Sequence, residues 1–343
     1  MSNESPAEAP VPVENSAYRS GGIGSQMSVP ARAVPAPRRR FEHKLWKHIL
    51  LFVLTLATTT VAGAGHYRSF LSDFGRQAIE MGALDLLIRG FWYSGTLLLI
   101  LGAHEMGHYS YCRRYNIDAT LPYFLPFLFF TGTLGAVIRI REAFPTRTVL
   151  FDIGVAGPIA GFMVVVPALF VGLSLSTVTL DPPGSDALLS LGEPLLFQWG
   201  AQLVFGRLPE GHTINMHPMV FASWFGMLAT ALNLLPFGQL DGGHITYATL
   251  GRWATPISLL TVAGAIAMTF VSTSWLFFTI LMVLMLLVLG PRHPRVVYEY
   301  EPLGRGRVAV AAVALLMLVL CFTPAPIEPY ELISTPQIQS VSR

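Results

Sequence analysis

Long apolar runs separated by short polar ones dominate this chain, and their spacing predicts a set of membrane-crossing helices. A helix needs about 20 apolar residues to cross a hydrocarbon core of roughly 30 Å. Six stretches reach or approach that length: Ile49 to Gly65, Phe91 to Cys112, Ile153 to Leu180, Pro218 to Leu240, Ala254 to Gly290 and Val308 to Pro324. As a single helix Ala254 to Gly290 would extend about 55 Å, more than one crossing needs. Ser272-Thr273-Ser274 near its middle therefore predicts a turn between two spans. One further apolar stretch, Leu121 to Ile138, carries Pro122, Pro126, Gly132 and Gly135 and is rich in aromatic and β-branched residues. Those features disfavour a helix and predict a re-entrant β-type loop. The expected class is an all-α polytopic membrane protein with six to seven transmembrane helices and that loop close to its active site.

Composition agrees. The chain is 52% hydrophobic and 12% charged, with a mean hydropathy of +0.54, against roughly 25% charged for a soluble domain. A formal charge of +2 is too small and too scattered to point to a nucleic-acid partner. The two cysteines, Cys112 and Cys321, fall in or beside separate apolar runs and build no disulfide framework. Residues 1 to 36 are rich in Pro, Ala, Glu, Ser and Gly, with no apolar segment before Leu45. They are expected to form a disordered tail and not a cleavable signal. The organisation predicted is a basic tail over 1–44, a transmembrane domain over 45–324 with its core at about 91–245, and a C-terminal tail over 325–343.

Basic residues orient the chain. Arg38, Arg39, Arg40, Lys44 and Lys47 precede the first span, and Arg292, Arg295, Arg305 and Arg307 lie between the last two. Both segments are expected on the cytoplasmic side, with Arg113 and Arg114 closing the second span there. His66, His212 and His217 then fall on the opposite side. Trp92, Tyr93, Trp224 and Trp275 suit an aromatic belt or lipid packing.

The candidate chemistry sits inside the second span, as His104-Glu105-Met106-Gly107-His108. On a helix, positions i and i+4 share a face, so both imidazoles can reach one ion, with Glu105 next to them as a base for water. A glutamate and two histidines within a membrane helix are expensive without a function or partners. Three residues compete to be a third ligand. Cys112 lies about 12 Å along the helix axis from His104, which strains a tetrahedral site. Glu142 is flanked by Arg139, Arg141 and Arg147 and suits a charge-paired surface. Asp241 is the strongest, read as ending the apolar helix Pro218 to Leu240. To share the depth of the histidines it needs an odd number of crossings in between, which requires Leu121 to Ile138 to be re-entrant.

Together these features resemble the site-2 protease family of intramembrane zinc metalloproteases. The likeness rests on HEMGH within a span, on Asn233-x-x-Pro236 followed by Leu240-Asp241-Gly242-Gly243, on Gly132-Thr-Leu-Gly135-Ala, and on Gly157-Pro158. It covers roughly Phe91 to Ile245. It implies one zinc ion held by His104, His108 and Asp241, Glu105 as catalytic base and acid, and Asn233 holding the substrate or the developing oxyanion. Gly132 and Gly135 belong to the substrate-binding stretch, and Thr131 to Ile140 is expected to offer a strand edge to an unwound peptide. His244 reads equally as a residue supporting Asp241 or as an interfacial histidine. Asp152 is expected to pair with Arg147 or to favour its helix N-terminus. Gly154, Gly157 and Gly161 are spaced for close helix approach. Neither a PDZ nor a CBS domain is expected within these residues. The expected substrate is a membrane protein with a transmembrane helix, cleaved within the lipid bilayer; oligomeric state is unassigned. A non-catalytic chaperone or scaffold of the same fold, and a metal or proton transporter, are the alternatives.

Overall fold

The first two apolar runs grow into helices longer than a bilayer needs, α1 (Leu45–Ser72) and α2 (Ala83–Arg114). Glycine lets them touch. A Cβ on Gly63 would lie 2.2 Å from the Gly90 carbonyl oxygen, and one on Gly90 would lie 2.3 Å from that of Thr60. Backbones therefore approach directly, the packing available where lipid removes the hydrophobic drive between helices. Thr60 Oγ1 donates to Ser94 Oγ across the same contact at 2.9 Å.

This computed structural model describes residues 41–128, 130–181, 189–290, 293–299 and 302–329. Most of the amino-terminal tail, Arg292 and residues 330–343 lie outside them, Arg38, Arg39 and Arg40 among these.

Residues after α2 form a hairpin and not a helix, as their proline and glycine content predicts. Strand β1 (Tyr123–Pro126) pairs antiparallel with β2 (Thr133–Val137), with Tyr123 opposite Val137 and an irregularity between Leu125 and Pro126. The hairpin lies along α1 and α2. Thr58 Oγ1 donates to the Gly132 carbonyl at 2.7 Å, Tyr93 Oη donates to that of Thr131 at 2.9 Å, and His48 Nδ1 donates to that of Pro122 at 3.0 Å.

Helix α3 (Arg147–Ser174) begins at Thr146, whose hydroxyl accepts the Val149 N–H at 3.3 Å. Leu150, Phe151, Ile153, Val165, Leu169 and Leu173 are all within 1% of complete burial, so α3 is the central helix, packed against α2 and against the helices Pro218–Leu234 and Asp241–Leu250. It starts and ends six residues before the Ile153 to Leu180 run. Thr177, Val178 and Thr179 are β-branched, and Thr177–Leu180 forms strand β3 against β5 (His212–Asn215). The connection holds an unforeseen helix, α4 (Leu195–Phe205), and strand β4 (Leu189–Leu191).

Helix α5 (Pro218–Leu234) also stops short of the expected Leu240. Pro236 drives Leu235 out of helical geometry, to ψ 132, and Gly238 takes φ +51. The chain turns there and starts α6 (Asp241–Leu250), which continues through a 3₁₀ turn at Gly251–Trp253 into α7 (Ala254–Met268). Asp241 thus opens a helix where the sequence placed it at the end of one. The predicted break near Ser272 separates α7 from α8 (Ser274–Leu289), and α9 (Arg305–Cys321) follows. Among the described residues four helical stretches are long and apolar enough to cross a membrane: α1, α2, α3 and the α6–α7 run Asp241–Met268. Leu195–Phe205, Pro218–Leu234 and Ser274–Val288 are apolar but shorter.

Two expectations at the ends shift. Phe41, assigned to the tail, donates its backbone N–H to Asp118 Oδ1 at 2.7 Å beneath the Arg113 guanidinium. Ile327–Pro329, assigned to the C-terminal tail, forms strand β6 on β4. Asp152 pairs with Arg307 of α9, Nε to Oδ1 and NH2 to Oδ2 both at 2.8 Å, and accepts the Tyr115 hydroxyl at 2.5 Å. Arg147, the partner suggested by sequence, lies five positions back on a different helix face and sits over the Tyr247 ring instead.

Candidate metal centre

Three side chains from two distant segments converge. His104 and His108 project from one face of α2, and Asp241 meets them from the first position of α6. Asp241 Oδ2 lies 3.2 Å from His104 Nε2, Asp241 Oδ1 lies 3.3 Å from His108 Nε2, and the two Nε2 atoms are 3.1 Å apart. Among the described residues this is the one group of three or more His, Cys, Asp or Glu side chains close enough to hold an ion together. Both histidines and Glu105 are buried.

Neighbouring backbone decides which nitrogen faces the group. His108 Nδ1 lies 2.7 Å from the Ile153 carbonyl, an acceptor only, so Nδ1 carries the proton and Nε2 offers a lone pair to the centre. Pro158 lies within α3 one turn on and has no N–H for the neighbouring Gly154 carbonyl. Orienting a ligand histidine through its second nitrogen is how proteins hold metal sites.

Zinc suits this donor set. Two imidazole nitrogens and a carboxylate are ligands it accepts, and bonds of about 2.0–2.1 Å at tetrahedral angles would separate neighbouring donors by about 3.3 Å. The observed separations of 3.1 to 3.3 Å match that edge.

The glycine stripe of α3 explains how the imidazoles fit. A Cβ on Gly157 would fall 2.1 Å from His108 Nε2, and one on Gly161 would fall 3.2 Å from His104 Cβ. Gly154 does the same for His244, at 3.0 Å from its Cβ. These glycines leave the space that the imidazoles occupy. Gly107, between the two histidines on α2, would place a Cβ 2.4 Å from the Ala156 carbonyl oxygen, so the helices meet backbone to backbone at the site.

The remaining sequence candidates divide. Asn233, near the end of α5, brings Nδ2 to 3.4 Å from His104 Nε2 and so borders the centre. The Glu105 carboxylate faces the backbone amide of Ile138, the residue after β2. Gly132 lies elsewhere, at the hairpin tip against α1, where its Cβ would meet Thr59 Cα at 2.5 Å; Gly135 sits in β2 opposite Leu125, with open space beside it. His244 makes its hydrogen bond with His293, 2.7 Å away. Cys112 is wholly buried with Ile117, Ala119, Val149 and Ile153, and Glu142 accepts the Asp118 N–H. Sequence reasoning missed the Ile153 carbonyl, the Ile138 amide and His293. The first two are backbone groups that residue identity does not mark, and His293 is far from its contact in the chain.

Comparison with known proteins gives the family. Residues 92–277 match peptidase family M50, a stretch running from the second span through Asp241 into α8. The chain belongs to that family, the site-2 protease family. It is similar to a probable chloroplastic zinc metalloprotease, EGY2, of Oryza sativa subsp. indica, 31% identical over 73% of this chain and 46% of that protein. It is also similar to the probable chloroplastic zinc metalloprotease EGY1 of Arabidopsis thaliana, 27% identical over 82% of this chain and 54% of the relative. The chain therefore spans about half the length of these curated relatives. No solved structure matches it. Family and apolar helices together make this M50 member a multi-pass membrane protein.

Proposed function

We propose that this M50 member is an intramembrane zinc endopeptidase that hydrolyses a peptide bond in or near a transmembrane segment of a membrane-protein substrate. The observation that carries the reading is the meeting of His104, His108 and Asp241 beside Glu105. His104, His108 and Asp241 would hold the ion. When bound, zinc supplies a positive charge that acidifies water and polarises a carbonyl. Glu105 takes a proton from the attacking water, whose oxygen bonds to the scissile carbonyl carbon. As the C–N bond breaks, Glu105 returns that proton to the leaving nitrogen. Asn233, with Nδ2 at the border of the centre, donates a hydrogen bond to the developing oxyanion.

A helical substrate hides its amides and must unwind before attack. Among the described residues β2 pairs only with β1, which leaves its other edge for an extended peptide, and Ile138, the residue after β2, faces Glu105. The hairpin also favours a re-entrant path. Its tip, at Thr131, bonds Tyr93, about 18 Å along α2 from Glu105, and the chain then returns to Glu105 at Ile138.

This path leaves the odd crossing count that the shared depth of Asp241 and the histidines requires. With α5 and α8 added to the four longer stretches six spans result, and α9 makes a seventh, with the transmembrane domain over about 45–324. The amino terminus and the centre then face the cytoplasm, on the side of Arg113, Arg114, Arg305 and Arg307.

The test is cleavage of labelled membrane-protein extracts by the purified chain, with and without a zinc chelator, beside measurement of bound zinc. Chelator-sensitive cleavage with one zinc per chain is expected. Metal or proton flux into vesicles without cleavage would indicate a transporter, and zinc binding with neither would indicate a scaffold.

A further inference from the structure

Behind the centre, residues 293–299 of the linker between α8 and α9 grip two elements that the ligands depend on. The first is α6. His293 Nδ1 donates to the Pro294 carbonyl at 2.6 Å, so its Nε2 accepts from His244 Nδ1 at 2.7 Å. Burial lowers the pKa of the His293 imidazole, which favours this neutral form. The same ring stacks on Tyr247, with centroids 4.4 Å apart and planes 13° from parallel. His244 and Tyr247 are three residues apart on one face of α6, and the Tyr247 hydroxyl donates to Glu299 Oε1 at 2.9 Å. One imidazole thus holds the turn that follows Asp241.

The second element is the start of α3. Val297 N–H donates to the Phe144 carbonyl at 3.1 Å and Tyr298 N–H donates to that of Pro145 at 2.8 Å, with Val296 buried between the linker and the core. These bonds fix the residues just before Thr146, which caps α3. Helix α3 in turn presents the Ile153 carbonyl to His108. The same short linker therefore braces Asp241 through α6 and His108 through α3. The helix carrying Asp241 needs outside support, because its N-cap residue Leu240 makes no side-chain cap.

We infer that the 293–299 linker is a clamp on the metal centre and that His293 is its positioning residue, acting through the hydrogen bond to His244. This rests on the zinc-ligand reading above. A linker anchored at the surface and fastened to two ligand-bearing elements would let anything that lifts it loosen the centre without touching a ligand.

Zinc affinity, measured by competition with a chromophoric chelator on the full chain in detergent, tests this. His293→Phe keeps the stack on Tyr247 and removes the acceptor; zinc should bind about ten-fold or more weakly, in the range seen when support of a metal ligand is lost. His293→Gln restores an acceptor and should bind close to the parent. Thermal unfolding of the zinc-free forms should be alike for all three, which a merely structural residue would not give. Val297→Pro, which deletes the N–H to Phe144, should weaken zinc independently and serves if His293→Phe does not fold. His293→Phe with parental affinity, His293→Gln as weak as His293→Phe, or Val297→Pro without effect would overturn the clamp. A parent that binds no zinc would instead overturn the functional reading beneath it.

Discussion

In the proposed mechanism Glu105 and Asp241 do different work, and single substitutions should separate them. Glu105 is not among the three side chains grouped at the centre, so Glu105→Gln should keep one zinc per chain while cleavage falls by about 10² or more, the contribution typical of a proton-transferring side chain. Asp241→Ala should lose zinc itself, read by metal analysis after dialysis. Gly157 supplies a subtler test. Its missing side chain is the space filled by His108, so Gly157→Ala should push that imidazole aside and weaken zinc by about ten-fold or more. The histidines and the glutamate were visible in the sequence because a charged or polar side chain inside an apolar run stands out. The use of Gly157 was visible only as spacing, since a glycine does not announce which neighbour occupies its place.

Among the elements, the hairpin shows how local chemistry overrides average hydropathy. Leu121 to Ile138 is apolar enough for a span, yet Pro122, Pro126 and two left-handed glycines, Gly132 at φ +74 and Gly135 at φ +112, make it a pair of strands. Gly132 carries the stronger demand, because a Cβ there is both strained and driven into α1. Gly132→Ala should destabilise the protein by about 1–3 kcal/mol, read as a lowered thermal midpoint, whereas Gly135→Ala, with space around it, should show backbone strain without the clash. The same kind of signal was available at Pro236 and explains the early end of α5. Hydrophobic content alone merged α5 with the following turn, and so put Asp241 at the wrong end of a helix. Strand β3 was hidden similarly, in a β-branched tail continuous with the apolar run of α3.

For the molecule as a whole, the proposed topology gives a direct expectation. Cys112 and Cys321 are fully buried, leaving exposed positions free for single-cysteine probes. Arg114→Cys and Arg305→Cys should react with a membrane-impermeant thiol reagent from the cytoplasmic side only, and Gln77→Cys, in the exposed connection between α1 and α2, from the other side only. Reaction of Arg114→Cys and Gln77→Cys from one face would remove the single crossing by α2. Long-range ties such as Arg307 to Asp152 and Trp224 Nε1 to the Gly192 carbonyl, at 2.7 Å, join segments far apart in the chain. Nothing in their local sequence pairs them.

Membrane character, the existence of most helices and the shared face of His104 and His108 were written in the order of residues, because each depends on local composition or on spacing along one helix. Helix ends followed partly, where proline and glycine enforce them through their own backbone limits. The three-dimensional packing alone settled which backbone carbonyl turns His108 toward Asp241, which glycines make room for the imidazoles, and that a distant linker braces α6. Those features arise from contacts between segments separated by tens of residues. No periodicity or propensity encodes such meetings.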